Sequence, residues 1–145
     1  MQSINLQEII QFAIEGEEES VAFYSHLVKK VKSQKVIQEI HNLIEMEENH
    51  VARLKEINIA AFSQRLPKKT FDLKIDDYRL DKKPTPHMSL EDLFEIAIQR
   101  EQKSAELYTD LAKLFPHPEK RVFENLAAEE SSHRHHFELK LDDIS

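Results

Sequence analysis

Four stretches of the chain carry apolar residues at alternating steps of four and three, the spacing that keeps successive side chains on one face of an α-helix. The first stripe reads Leu6, Ile10, Ala13, Glu17, Ser20, Tyr24, Leu27 and Val31, and the third reads Leu90, Phe94, Ala97, Glu101, Ser104, Tyr108, Leu111 and Phe115. The second reads Val36, Ile40, Leu43, Glu47, His50, Leu54 and Ile57, and the fourth reads Phe123, Leu126, Glu130, His133 and Phe137. Long alternations of the strand type are scarce, and a single Gly in 145 residues leaves helices free to run.

Local signals set the expected ends. Asn5 with Glu8 has the spacing of a capping box, and a first helix is expected over about 5–32. Ser33 can cap a second helix over 34–66, stopped by Pro67. Ser89 with Asp92 forms a second capping box, opening a helix over 89–115, and Pro118 lies in the expected first turn of a fourth helix over 118–141. Between them, residues 58–88 contain three prolines and many charges and read as a connection. The expectation is one all-α domain over 1–145, a four-helix bundle of two antiparallel pairs joined by a long crossover.

The first and third stripes match at an offset of 84, including an Ala-x-x-x-Glu-x-x-Ser-x-x-x-Tyr series, which marks an internal repeat. The second and fourth share the order apolar, apolar, Glu, His, apolar. Glu17, Glu47, His50, Glu101, Glu130 and His133 therefore lie on stripes that are otherwise expected to be buried. Their depths also agree: Glu17 stands 16 residues before Ser33 and Glu47 14 after it, while Glu101 stands 16 before His117 and Glu130 13 after it. At about 1.5 Å per residue, two helical hairpins would bring all six to nearly one height.

Burying four carboxylates together is strongly unfavourable unless they are protonated, paired with cations or bound to metal. No Lys or Arg lies on the stripes near this layer. Two divalent cations would balance four carboxylates and two neutral imidazoles, and a Glu from each of two helices plus Glu-x-x-His from each of the others is the ligand pattern of di-iron and di-manganese carboxylate bundles. One Glu-x-x-His pair is a weak signal in a chain this rich in Glu. Two pairs with two further Glu at matching depth are far more specific. A protonated or water-filled polar core is the competing reading.

Tyr24 and Tyr108 can serve either as plain core aromatics or as hydrogen-bond donors to ligand carboxylates. Ser20 and Ser104 are expected to give room and a small polar lining. Glu18, Glu19, Glu48 and Glu129 fall off the stripes and are expected to be solvated. His26, His41, His87, His117, His135 and His136 are expected at the surface, His136 being the nearest of them to the layer. Gly16, costly inside a helix, would be explained by a close helix contact.

Composition narrows the classes of function. A formal charge of −7 argues against nucleic acid, whose phosphates need clustered Lys and Arg. Zero Cys excludes disulfides, thiolate metal sites and cysteine nucleophiles. No apolar run approaches a membrane span, and the first residues lack the pattern of a signal peptide, so a cytoplasmic protein is expected.

The segments GEEESVAFY, REQKSAELY, EMEENH and EESSH resemble those of the rubrerythrin branch of the ferritin-like di-iron carboxylate superfamily, and the resemblance covers nearly the whole chain. It implies a ferritin-like bundle in which Glu17 and Glu101 are terminal carboxylates, Glu47 and Glu130 bridge the metals, and His50 and His133 are nitrogen ligands. It also implies two Fe ions as cofactor, with Mn or Zn as alternatives, and a tendency to dimerise. Two features depart from the family pattern. Ser104 stands where rubrerythrins typically carry an extra carboxylate, and the chain has no Cys, where rubrerythrins usually carry a cysteine-rich electron-donor domain. The function expected is a non-haem oxidoreductase that reduces peroxide or dioxygen with electrons from an external donor. Iron capture and storage, or a non-catalytic interaction bundle, are the alternatives.

Overall fold

A computed structural model describes residues 6–57, 74–80 and 82–144. Among the described residues there are four long α-helices and no strands: α1 (Leu6–Leu27), α2 (Gln34–Lys55), α3 (Leu90–Leu114) and α4 (Glu119–Ile144). The helices end where the local chemistry stops them. α1 tightens into a 3-10 turn over Val28–Lys30, and the chain turns extended at Val31. Ser33 then caps α2, its Oγ accepting from the Val36 N–H at 3.4 Å. At α3 the capping box is reciprocal: Ser89 Oγ accepts from the Asp92 N–H and Asp92 Oδ2 from the Ser89 N–H, both at 3.1 Å. The other end of α3 is closed by Lys120, whose Nζ donates to the Ala112 carbonyl at 2.7 Å.

Besides the early end of α1, where a helix was expected to about 32, boundaries of α2 and α4 differ from expectation. α2 ends at Lys55 rather than continuing toward 66: a turn follows in which the Glu56 N–H bonds to Ala52 O and the Ile57 N–H to Leu54 O, and Ile57 packs against the core. α4 begins one residue after Pro118 and runs three residues beyond Leu141. The Asn5 half of the first capping box, and the expected course of 58–66, lie outside the described residues.

Burial follows the stripes and divides the core in two. One apolar cluster gathers Ile9, Ile10, Ala13 and Ile14 of α1, Leu54 of α2, Leu107, Leu111 and Ala112 of α3 with Phe115 just beyond it, and Phe123 and Leu126 of α4. The other gathers Phe23 and Leu27 of α1, Ile40 and Leu43 of α2, Leu93, Phe94, Ile96 and Ala97 of α3, and Phe137 of α4. Their order along the chain gives the topology. α1 runs from the first cluster to the second and α2 returns; α3 again runs from the second to the first, and α4 returns. α2 and α3 are therefore parallel, and the chain between them must travel back along the bundle, which accounts for the long connection that interrupts the helices. Its described turn, Ile75–Tyr78, is tied to α3: Tyr78 donates to Asp110 at 2.6 Å, and Lys103 donates to the Asp77 carbonyl at 2.9 Å.

Candidate metal centre

Glu17, Glu47, His50, Glu101, Glu130 and His133 occupy the level between the two apolar clusters, and each is at most 6 % exposed. The helical repeat carries them there: one or two steps further along each stripe than the last residue of one cluster, and one or two before the first of the other. Each helix hairpin then sets its Glu opposite its Glu-x-x-His pair.

The imidazoles turn Nδ1 toward the carboxylates. His50 Nδ1 lies 2.7 Å from Glu130, 3.5 Å from Glu17 and 3.7 Å from Glu47. His133 Nδ1 lies 3.0 Å from Glu47 and 3.5 Å from Glu101. The rings are nearly parallel, with centroids 6.1 Å apart. Around these atoms two groups of potential ligands form, Glu17–Glu47–His50–Glu130 and Glu47–Glu101–Glu130–His133, each with ligand atoms all within 4.8 Å of one another. They overlap in Glu47 and Glu130 alone. Such overlap is compatible with a di-metal site in which Glu47 and Glu130 would be common to both positions, and one histidine and one further Glu would complete each.

The tyrosines complete the symmetry across the bundle. Tyr108 of α3 donates to Glu17 Oε1 of α1 at 2.6 Å, and Tyr24 of α1 donates to Glu101 Oε1 of α3. Burial, together with the neighbouring carboxylates of Glu101 and Glu17 respectively, pushes both phenols well above their ordinary value, so each stays a donor. Burial likewise pushes Glu47 and Glu130 well above the ordinary carboxylate value, reinforced by repulsion from Glu101 and Glu17. At Glu17 burial also acts upward, but hydrogen bonds from Glu47, His50 and Tyr108 and the charge of His50 overcome it and hold the group lower. Without a cation, Glu47 and Glu130 therefore hold protons more readily than ordinary carboxylates do.

A further sign of fit is that several of the buried atoms left without a hydrogen-bond partner lie in the layer, namely Glu17 Oε2, Glu47 Oε2, Glu101 Oε2, Glu130 Oε1 and His50 Nδ1. Buried polar atoms are rarely left unpaired, and all of these belong to the two ligand groups. Their chemistry, carboxylate oxygen with imidazole nitrogen, suits a first-row divalent metal.

Other expectations fare unevenly. Glu18, Glu19 and Glu48 are exposed as expected, whereas Glu129 is not simply solvated: its Oε2 lies 3.2 Å from His50 Nε2 and 2.5 Å from an Arg53 nitrogen. The missed signal was Arg53, three residues after His50 on α2, beside a glutamate adjacent to Glu130. His41, His87, His117 and His135 are exposed, His26 is half-buried, and His136 turns away from the layer to Glu39, 3.3 Å away. No close helix contact explains Gly16, because a Cβ built there meets nothing within 4 Å. Gly16 instead borders a cleft of about 130 Å³ between α1 and α3, lined also by Ser20, Ser104 and Arg100 and by Tyr78 and Arg79 of the crossover. Ser20 accepts from Arg100 there at 3.4 Å.

No helix among the described residues is long and apolar enough to cross a membrane. Comparison with known proteins agrees with the geometry. The family model for rubrerythrin matches residues 8–141. A solved structure of a hypothetical protein from Pyrococcus furiosus is similar at 26 % identity and a TM-score of 0.72, covering 96 % of this chain and 89 % of that one. No curated protein gives a significant match. With the match spanning nearly all of the sequence, the chain belongs to the rubrerythrin family, and its buried carboxylate–histidine cluster is compatible with a di-metal site.

Proposed function

We propose that the chain holds a dinuclear metal centre, iron in the first instance, and uses it to reduce peroxide or dioxygen with electrons from an external donor. The observation that carries this reading is the pair of overlapping ligand groups that share only Glu47 and Glu130. Glu17 and His50 would complete one position, Glu101 and His133 the other. When bound, a ferrous pair supplies two electrons to an O–O bond, and six protein ligands leave coordination positions free for a small oxidant.

The chain's own groups set the conditions. Tyr108 and Tyr24 hold one oxygen each of Glu17 and Glu101, which leaves the other oxygen of each free and would orient it for a bound cation. The two apolar clusters close the layer from above and below, keeping bulk water from its ends. The cleft between α1 and α3, beside Ser20 and Ser104, has room for an oxidant the size of peroxide. Ser104, unlike a carboxylate, adds no further anionic ligand.

Anaerobic reconstitution with Fe(II) followed by stopped-flow mixing with peroxide tests the proposal. Rapid oxidation of two irons per chain is expected. Oxidation no faster than that of free Fe(II) would refute the redox function while leaving metal binding intact.

A further inference from the structure

The six ligand candidates and the two tyrosines obey the internal repeat; the contact on the far side of the histidines does not. Helices α2 and α4 correspond at an offset of 83, which pairs Glu47 with Glu130 and His50 with His133. By the same offset Glu129 corresponds to Met46, and Arg53 to His136. Glu129 Oε2 stands 3.2 Å from His50 Nε2, a contact with the length of a hydrogen bond though without its alignment, and Arg53 binds the same oxygen at 2.5 Å. On the other half, Met46 is 39 % exposed and offers no acceptor, and His136 is engaged with Glu39. His133 Nε2 is buried, and no hydrogen-bond partner reaches it.

We propose that Glu129, held by Arg53, is the positioning residue for His50 and makes the two metal positions inequivalent, the His50 position binding a divalent cation more tightly than the His133 position. The inference rests on the dinuclear reading above. A histidine that ligates through Nδ1 must carry its proton on Nε2, and a carboxylate facing Nε2 selects that tautomer, fixes the ring and makes Nδ1 the better donor. Arg53 fixes the carboxylate in turn. Because Arg53 lies on α2 and Glu129 on α4, the pair also joins the two helices that supply the bridging glutamates at the level of the layer. His133 receives no such support at Nε2 among the described residues; its ring is held only from the Nδ1 side, where Glu47 lies 3.0 Å away.

The test is a calorimetric titration of the metal-free chain with Mn(II), which does not oxidise under anaerobic conditions. Wild type should show two classes of one cation each. Glu129→Ala should weaken the tighter class about 10–100-fold and leave the weaker one in place, the range typical for losing an outer-shell partner. Glu129→Gln, which keeps an acceptor oxygen without the charge, should fall between the two. In the Zn(II)-loaded protein the His50 Nε2 proton should be slow to exchange and visible by NMR, and lost in Glu129→Ala, whereas a purely structural role would leave it unchanged. Two equal classes in wild type, or an unchanged tighter class in Glu129→Ala, overturns the proposal. Failure of the wild-type chain to take up any Mn(II), Fe(II) or Zn(II) overturns instead the dinuclear reading on which it rests.

Discussion

The middle of the bundle and its two ends are built on the same helical stripes but by opposite energetics. At the ends, side chains such as Leu54, Leu93, Phe123 and Phe137 are fully or almost fully buried against other apolar groups, and each stabilises the fold by roughly 1.5–3 kcal/mol through its removal from water. In the middle, four carboxylates and two imidazoles are buried as deeply, where desolvating each charge costs several kcal/mol. The ends make the fold; the middle costs stability that a bound cation would offset. The two regions should therefore respond differently to mutation, metal and pH.

The largest effect is expected at the ends. Phe137→Ala, removing a ring packed on Tyr24 and Phe94, should lower stability by about 3–5 kcal/mol with or without metal, as measured by urea unfolding. An equal loss from truncating Glu47 in the metal-free protein would erase the distinction between the regions. Metal should act on the middle alone. Saturation at about 100 times the dissociation constant should raise stability by roughly 2.7 kcal/mol per site, and Glu47→Ala, which removes a residue common to both ligand groups, should abolish that gain.

The pH response sharpens the contrast and has a definite sign. Glu47 and Glu130 sit well above the ordinary value of 4.5 in the metal-free fold, so the fold binds their protons more tightly than the unfolded chain does. That contribution is fully present below 4.5 and is lost as pH rises through the raised values. Glu17 is shifted the other way, so its contribution is lost only as pH falls below 4.5 toward its lowered value. As pH rises above 4.5 the metal-free protein should therefore melt at lower temperature. The metal-loaded protein should do the reverse, because protons and cations compete for the same oxygens. Parallel melting profiles would contradict the assignment of proton uptake to the layer. The smallest effect is local: Ser89→Ala should cost about 1 kcal/mol through the lost cap of α3, with metal stoichiometry unchanged.

Much of this was legible in the sequence because a helical stripe reports burial residue by residue. Glu17 and Glu101 could be placed inside before any coordinates, since apolar residues at four- and three-residue steps surround them, and the Glu-x-x-His pairs of α2 and α4 followed the same rule. Ser33 and Ser89 were readable as caps because capping chemistry is local. What escaped depends on contacts between helices. The stripe says that Glu129 is off the buried face; it cannot say that α4 lies close enough to α2 for that side chain to meet His50 and Arg53. Gly16 was misjudged for a related reason, since whether a glycine adjoins a neighbour or a cleft is decided by the partner helix. The end of α2 at Lys55 was set by a turn and the docking of Ile57, where composition alone suggested continuation to Pro67.

The central claim, that the polar layer exists to hold two cations, is tested most directly by elemental analysis of the protein after anaerobic Fe(II) reconstitution and desalting, beside Glu47→Ala and Glu130→Ala. The account predicts about two irons per wild-type chain and substantial loss in both variants, as a ligand set bridged by these residues requires. Wild-type protein that retains no stoichiometric iron, manganese or zinc, and whose melting temperature is indifferent to all three, would contradict it and leave the layer as a protonated polar core.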